Sequence, residues 1–230
     1  MFHSFIIIFI GIISLTLTIY QSGKLNFLAH IYLSGSSDEV KIGNFIGDYV
    51  KGRNYEKYPE LVRKGILIHR KIDSFTDAHP VVDRSKSHLR KKFRRYSGVI
   101  VDIFYDHFLA SEWSMFSKHP LPQYVVNMYE ILVSNYFILP NEIKTFLPFF
   151  IINNWLESYT SIEGIEGVLR RMAKRTSLPN ETPFAIAELR KNYHLFRDDF
   201  LEYFPQLVAY IEEKHDIQVN EFHCPGYLAG

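Results

Sequence analysis

Apolar residues recur at three- and four-residue intervals along most of the chain, and nowhere does the alternation of a β-strand persist. Hydrophobic residues make up 47% of the 230 residues, and the 19 Phe and 15 Tyr suit a well-filled core. Neither a linker nor an internal repeat interrupts the pattern. The sequence therefore predicts one all-α domain of about seven to nine helices over residues 25–214, with a loose tail over residues 215–230.

The first 24 residues differ from the rest. Residues 5–20 carry no charge, but this run is shorter than the roughly 20 residues of a comfortable transmembrane helix. No Lys or Arg precedes it and no clear cleavage site follows, which argues against a signal peptide. We expect residues 1–24 to be either a membrane anchor or a misassigned start. The single cysteine, Cys224, excludes an internal disulfide framework and fits a cytoplasmic protein, membrane-anchored only if the apolar run is genuine.

One predicted helix carries three groups that can bind a metal or transfer a proton. It begins near Pro59 and stops before Pro80, because the residue before a proline disfavours the helical conformation. His69, Asp73 and Asp77 are spaced four residues apart on it, so the helix places them on one face. A His and an Asp at this spacing are, taken alone, more often a surface pair or a satisfied core histidine.

Further His and Asp residues interrupt other apolar runs. These are His30, Asp48, Asp106 and His107. A buried His or Asp costs several kcal/mol unless it is paired, hydrogen-bonded or bound to a metal. Nitrogen and oxygen ligands without a thiolate suit Mn²⁺, Mg²⁺, Fe²⁺ or Zn²⁺. Helix caps and hydrogen bonds between helices would explain any one of these residues, whereas the whole set favours a metal site.

Other chemistries have weaker signals. The segment 43–47 contains two glycines but lacks the spacing and the lysine of a phosphate-binding loop, so helix packing explains it better. No nucleophile elbow is present. A basic cluster comprises Arg90, Lys91, Lys92, Arg94 and Arg95. Such clusters are usually solvated, but beside a metal centre one would attract an anionic partner. Nucleic acid is disfavoured, because the net charge is only +1 and no nucleic-acid-binding module is recognisable.

Four motifs, in this order, resemble the bacterial acyl carrier protein phosphodiesterase family. They are Leu-Asn-Phe-Leu-Ala-His at 25–30, Gly-Asn-Phe-Ile-Gly-Asp at 43–48, His-Arg-Lys-Ile-Asp at 69–73 with Thr-Asp at 76–77, and Asp-His-Phe-Leu at 106–109. The resemblance extends over residues 25–214. It implies a distant branch of the HD-domain phosphohydrolases, which are all-helical, Mn²⁺-dependent enzymes that remove 4′-phosphopantetheine from holo acyl carrier protein. Family members begin near the first motif, with Met where this chain has Leu25.

The resemblance also implies site residues. Candidate metal ligands are His30, Asp48, His69, Asp106 and His107. The chemistry of a phosphodiester site, as a hypothesis, adds candidate catalytic groups: Asp73 or Asp77 as general base and Arg70 as a clamp on the phosphoryl oxygens. The usual His-Asp pair of the HD signature is replaced here by His69-Arg70 and by the reversed pair Asp106-His107, so the division between ligands and acid or base groups stays open.

The resemblance makes the acidic carrier protein the expected partner of the basic cluster. Two alternatives remain open at this point. One is an HD-type hydrolase of a nucleotide or another small phosphoester. The other is a non-enzymatic helical protein whose buried His and Asp residues only form hydrogen bonds.

Overall fold

The computed structural model describes residues 26–219, and every regular element within this range is helical. The all-α prediction is confirmed, with ten helices of six residues or more and one of four residues. The helices are α1 Phe27–Tyr32, α2 Asp38–Ile46, α3 Glu60–Ala78, α4 Pro80–Phe93, α5 Ser97–Ser111, α6 Leu121–Ser134, α7 Asn141–Ile152, α8 Trp155–Ser158, α9 Ile162–Arg175, α10 Thr182–Lys191 and α11 Tyr193–His215. Short 3₁₀ segments occur at Gly47–Tyr49, Asn54–Lys57, Arg94–Tyr96, Trp113–Met115 and Tyr136–Ile138.

The prolines delimit α3 as the sequence predicts. The helix follows Pro59 and ends immediately before His79 and Pro80. For the preceding helix, the sequence 36–39 predicts a capping box that begins at Ser36 and a helix that continues to Gly52. The structure differs at both ends. The N-cap is Ser37, whose hydroxyl accepts a hydrogen bond from the Val40 amide at 3.3 Å. The helix ends at Ile46 and passes into a 3₁₀ turn.

Apolar spacing predicts two long helices, over residues 141–157 and about 182–214, and the structure divides each of them in two. Asn154 adopts a left-handed conformation, with φ of 43°, between α7 and α8. Asparagine tolerates this conformation because its short polar side chain bonds to nearby backbone. Asn192 ends α10 and precedes α11, with a non-helical backbone conformation of negative φ. Apolar periodicity continues across both breaks, which explains why the pattern did not reveal them.

Helix α5 forms the centre of the core. Its residues from Val99 to Ala110 are all buried, so this helix is enclosed on every side. Helices α1, α4 and α11 pack around it. None of the helices in the range 26–219 combines the length and the apolar character needed to cross a membrane. The apolar run at 5–20 and Cys224 lie outside the described residues, as does most of the predicted tail. Within its described part, His215 still belongs to α11, and Ile217 and Gln218 pack beside the turn at Gly35.

Helices α2 and α3 approach each other at two glycines. A Cβ atom on Gly43 would lie 2.0 Å from the Val62 carbonyl oxygen, and one on Gly65 would lie 2.2 Å from the Val40 carbonyl oxygen. Backbone therefore packs directly against backbone at this crossing, and no side chain fits between the two helices. The prediction that the glycine-bearing segment serves helix packing is confirmed at Gly43.

We predict that Gly43→Ala and Gly65→Ala each lower the free energy of unfolding by about 1–3 kcal/mol, because the added methyl group forces the helices apart. Urea denaturation measures this change. Gly98→Ala is the matched control, since its Cβ would meet only the flexible end of Lys86 at 3.3 Å. The control should shift stability by less than about 1 kcal/mol, and in the stabilising direction. Equal stability of all three variants would show that the two helices do not touch as described.

Candidate metal centre

Three elements bring two histidines and two aspartates together. Helix α1 supplies His30, the 3₁₀ turn after α2 supplies Asp48, and α3 supplies His69 and Asp73. The Nε2 atom of His69 lies 3.3 Å from a carboxylate oxygen of Asp48 and 3.5 Å from one of Asp73. The Nε2 atom of His30 lies 3.6 Å from the other oxygen of Asp73. Ligand atoms of His30, His69 and Asp73 all lie within 4.8 Å of one another, as one metal ion requires.

Local sequence explains how these groups meet. His69 and Asp73 are one turn apart on α3, so their side chains lie on the same face. The turn that carries Asp48 begins at Gly47, where a Cβ atom would lie 2.2 Å from the Cγ atom of His69. Only glycine permits the backbone to come this close to the imidazole. The residue before Asp48 therefore determines how near its carboxylate can come to His69.

Both imidazoles are buried, and each has one nitrogen without a hydrogen bond. His30 is 2% exposed and His69 is 5% exposed. Each Nδ1 atom lies 2.8 Å from an oxygen of Asn44, whereas neither Nε2 atom has a hydrogen-bond partner among the described residues. The partner of His69 is a backbone carbonyl, which only accepts, so the proton of the neutral ring lies on Nδ1 and a lone pair lies on Nε2.

The unsatisfied nitrogens fit a divalent cation. A lone pair on the His69 Nε2 atom faces carboxylate oxygens, and two acceptors in contact require a cation or a proton between them. Imidazole nitrogens and carboxylate oxygens are ligands of first-row divalent metals. The residues that fit a metal ion are thus His30, Asp48, His69 and Asp73. The sequence predicts the first three as metal ligands and Asp73 as a catalytic group.

The two histidines differ in their affinity for protons. Burial lowers the pKa of His30 below its ordinary value, and the neighbouring His69 adds to this effect. Burial also acts to lower the pKa of His69, but the negative carboxylates of Asp48 and Asp73 close to its Nε2 atom outweigh it, and the net shift is upward. Without a metal ion, a proton in this cluster therefore belongs on His69. Metal ions and protons compete for the same nitrogen.

The structure does not bring Asp106 into the cluster. One of its carboxylate oxygens accepts a hydrogen bond from the amide of Leu28 at 3.0 Å, and the other accepts one from the amide of Ala29 at 2.9 Å. These amides belong to the first turn of α1, which has no carbonyl partner for them. Burial raises the pKa of Asp106 to about 8, although both hydrogen bonds act to lower it. Asp106 thus caps the helix that carries His30.

His107 also has partners away from the cluster. Its Nδ1 atom donates to the Tyr159 carbonyl oxygen at 2.8 Å, and its Nε2 atom accepts from the Tyr193 hydroxyl at 3.1 Å. Both ring nitrogens are therefore satisfied, unlike those of His30 and His69. For Asp106 and His107, the geometry supports the caps and inter-helix hydrogen bonds that the sequence left open.

Two predicted catalytic groups, Arg70 and Asp77, lie outside the cluster. The guanidinium of Arg70 donates to the carbonyl oxygens of Val50 and Gly52, each at 2.8 Å, and thereby secures the loop that follows Asp48. The carboxylate of Asp77 is exposed and pairs with Lys86 at 3.3 Å. Roles for them as phosphoryl clamp and general base stay predictions.

The basic cluster is largely occupied by contacts within the protein. Three of its five cations have partners: Arg90 with Asp83, Lys92 with Glu181, and Arg95 with the Tyr96 hydroxyl. For Lys91 and Arg94, no carboxylate of residues 26–219 lies within ion-pair distance. Lys91 and Arg94 are therefore the cluster members without an ion pair or a hydrogen-bonding partner in this range, and the charge of Arg95 is also uncompensated because the Tyr96 hydroxyl is neutral.

Asn44 is the residue of this site that sequence reasoning missed. It is fully buried on α2, and its two oxygens contact the Nδ1 atoms of the stacked His30 and His69 rings. A polar residue inside the apolar run of α2 is a signal of the same kind as His30 and Asp48. The flanking glycines indicate helix packing, and the sequence pattern alone gives the asparagine no separate role.

Comparison with known proteins agrees with this geometry. The sequence model of the family described as acyl carrier protein phosphodiesterase matches residues 25–207. An acyl carrier protein phosphodiesterase of Enterobacter sp. strain 638 is 30% identical over 194 residues, which cover 83% of this chain and 99% of that protein. The one from Yersinia pestis is 27% identical over 191 residues, with the same two coverages. No solved structure matches the chain, and the HD-domain-like architecture stays a prediction.

The all-helical fold and these matches define an enzyme of the phosphoric diester hydrolase class. The chain belongs to the acyl carrier protein phosphodiesterase family.

Asp106→Asn distinguishes a helix cap from a metal ligand. The side-chain NH₂ group of the asparagine would face one of the two backbone N–H groups of α1, so that two donors meet without an acceptor. A buried donor without an acceptor costs about 1–3 kcal/mol. We expect the free energy of unfolding to fall by this amount. The dissociation constant for Mn²⁺ should change by less than about threefold, because substitutions outside the ligand set reduce metal affinity strongly only where the residue contacts a ligand side chain. Urea denaturation and calorimetric titration measure the two quantities. Unchanged stability with a large loss of affinity would make Asp106 a metal ligand instead.

Proposed function

We propose that this protein hydrolyses the phosphodiester that links 4′-phosphopantetheine to a serine of holo acyl carrier protein, in a reaction that depends on a divalent metal. The observation that carries the metal dependence is the pair of buried Nε2 atoms, without hydrogen bonds, that face Asp48 and Asp73. The substrate follows from the names of the relatives. Mn²⁺ is the preferred ion, and Mg²⁺, Fe²⁺ or Zn²⁺ would suit the same ligands.

The residues of the cluster have distinct roles in this proposal. His30 and His69 would hold the ion through Nε2, and Asp48 and Asp73 would balance its charge. When bound, the ion acts as a Lewis acid on a phosphoryl oxygen and lowers the pKa of a water molecule. Asp73, with 22% of its side chain exposed, lies between the histidines and solvent and is the proposed general base.

The reaction balances without another reagent. Water adds its oxygen to phosphorus and gives up a proton to Asp73. The bond between phosphorus and the serine oxygen breaks, and that oxygen takes up a proton. The products are apo acyl carrier protein, with its serine hydroxyl restored, and free 4′-phosphopantetheine. Because both imidazoles are buried, little water reaches the lone pairs of their Nε2 atoms, and their interaction with a nearby charge is stronger.

The direct test follows the mass of holo acyl carrier protein after incubation with the full chain and Mn²⁺. We expect the phosphopantetheine mass to disappear, and a chelator to prevent this. His69→Ala and Asp48→Asn should reduce the rate on the order of 100-fold or more, since each removes a group that holds the ion. Glu60→Gln, which changes an exposed carboxylate at the start of α3, is the matched control. An intact holo protein after incubation with folded, metal-binding enzyme would refute the proposed substrate, and hydrolysis undiminished by chelator would refute the metal dependence.

The carrier protein should dock through its acidic surface. Of the predicted cluster, Lys91 and Arg94 are the members free to meet it, and charge complementarity of this kind affects association more than chemistry. The double variant Lys91→Glu/Arg94→Glu should therefore raise KM for holo acyl carrier protein by about fivefold or more, with kcat changed less than about twofold.

The control for docking is Lys174→Glu/Lys191→Glu, which changes the net charge equally at two other exposed lysines. Steady-state kinetics at low ionic strength compares the two double variants, because salt screens surface charges. If both raise KM by the same factor, only the net charge matters. An unchanged KM for Lys91→Glu/Arg94→Glu would remove this cluster from the docking surface.

A further inference from the structure

Asn44 contacts both histidines of the metal centre. Its side-chain oxygen lies 2.8 Å from the Nδ1 atom of His30, and its backbone oxygen lies 2.8 Å from the Nδ1 atom of His69. The residue is fully buried on α2, beside the stacked rings of His30 from α1 and His69 from α3. One residue therefore meets the outward nitrogen of both imidazoles.

The orientation of the Asn44 amide is determined by its other contacts. Its Nδ2 atom donates to the carbonyl oxygen of His30 at 2.7 Å and to the Ser34 hydroxyl at 3.0 Å. Ser34 uses its own proton for the same His30 carbonyl, at 2.8 Å. A reversed amide would place its oxygen against that carbonyl, with two acceptors in contact, so this orientation is the one that satisfies every group.

The tautomer of His30 follows from this orientation. The side-chain oxygen of Asn44 only accepts, so the Nδ1 atom of His30 must carry the proton. The Nε2 atom then holds a lone pair directed towards Asp73. The backbone oxygen of Asn44 imposes the same tautomer on His69. Neutral rings protonated at Nδ1 are those that bind a metal through Nε2.

We propose that Asn44 is a positioning residue that holds both His30 and His69 in the Nδ1-protonated tautomer, with Nε2 available to the metal. This inference rests on the metal dependence of the proposed function. It assigns Asn44 two separable actions: the side chain acts on His30, and the backbone acts on His69. A substitution at this position removes the first action and preserves the second.

Asn44→Leu tests the assignment, because leucine has a similar size and no acceptor. We expect the affinity for Mn²⁺, measured by competition with a fluorescent chelator, to fall about 10–100-fold. In the metal-free, ¹⁵N-histidine-labelled full chain, at a pH high enough that both imidazoles are neutral, the nitrogen shifts of His30 should lose the Nδ1-protonated pattern, while those of His69 keep it. His30→Gln and His69→Gln variants assign the signals. Asn44→Asp retains an acceptor for His30, and it should keep the tautomer and bind Mn²⁺ more tightly than Asn44→Leu.

Ile42→Val controls for loss of packing, since it lies on the same helix, is fully buried and touches the core only through apolar contacts. It should lower thermal stability without changing either the Mn²⁺ affinity or the tautomers. Wild-type affinity in Asn44→Leu, or an unchanged His30 tautomer, would overturn the proposal, and so would an equal change in His30 and His69. No measurement here uses carrier protein. If the wild type shows these properties and yet leaves holo acyl carrier protein intact, the proposed substrate fails and the role of Asn44 stands.

Discussion

The direct contact between the backbones of α2 and α3 is the constraint on which the site depends. Gly43 and Gly65 remove the side chains that would separate the helices, and Gly47 lets the next turn rest against the His69 ring. This closeness places the Asn44 carbonyl within hydrogen-bonding distance of His69 and brings Asp48 to the same ring. A wider crossing would move Asn44 and Asp48 away from His69 and Asp73.

The chemistry of the site follows from what this packing leaves unsatisfied. Two other buried polar residues of the described core are fully paired: Asp199 with Ser85 and Arg84, and His107 with Tyr159 and Tyr193. At His30 and His69 the inner nitrogens meet carboxylates and no donor. An arrangement that costs several kcal/mol in isolation is retained where a ligand stabilises it. The buried, unpaired nitrogens are thus the strongest structural sign of function in this chain.

Sequence patterns predicted the parts of this account that depend on local spacing. The four-residue interval between His69 and Asp73 required only that the segment be helical, and the two prolines delimit that helix. The fate of Asp106 was not predictable in this way. A buried aspartate can cap a helix or bind a metal, and the choice depends on which backbone amides lie opposite, here those of Leu28 and Ala29. Those partners are 77 and 78 residues away in sequence. Lys92 and Glu181 are likewise far apart in sequence, by 89 residues, so counting charges along the chain does not reveal that they form an ion pair.

Crystals of the full chain grown with Mn²⁺, measured at the manganese absorption edge, give the most direct test of the metal centre. The account predicts one strong anomalous peak bound by the Nε2 atoms of His30 and His69 and by the carboxylates of Asp48 and Asp73. A peak bound by Asp106 or His107 would contradict it, and so would the absence of any peak between the two imidazoles.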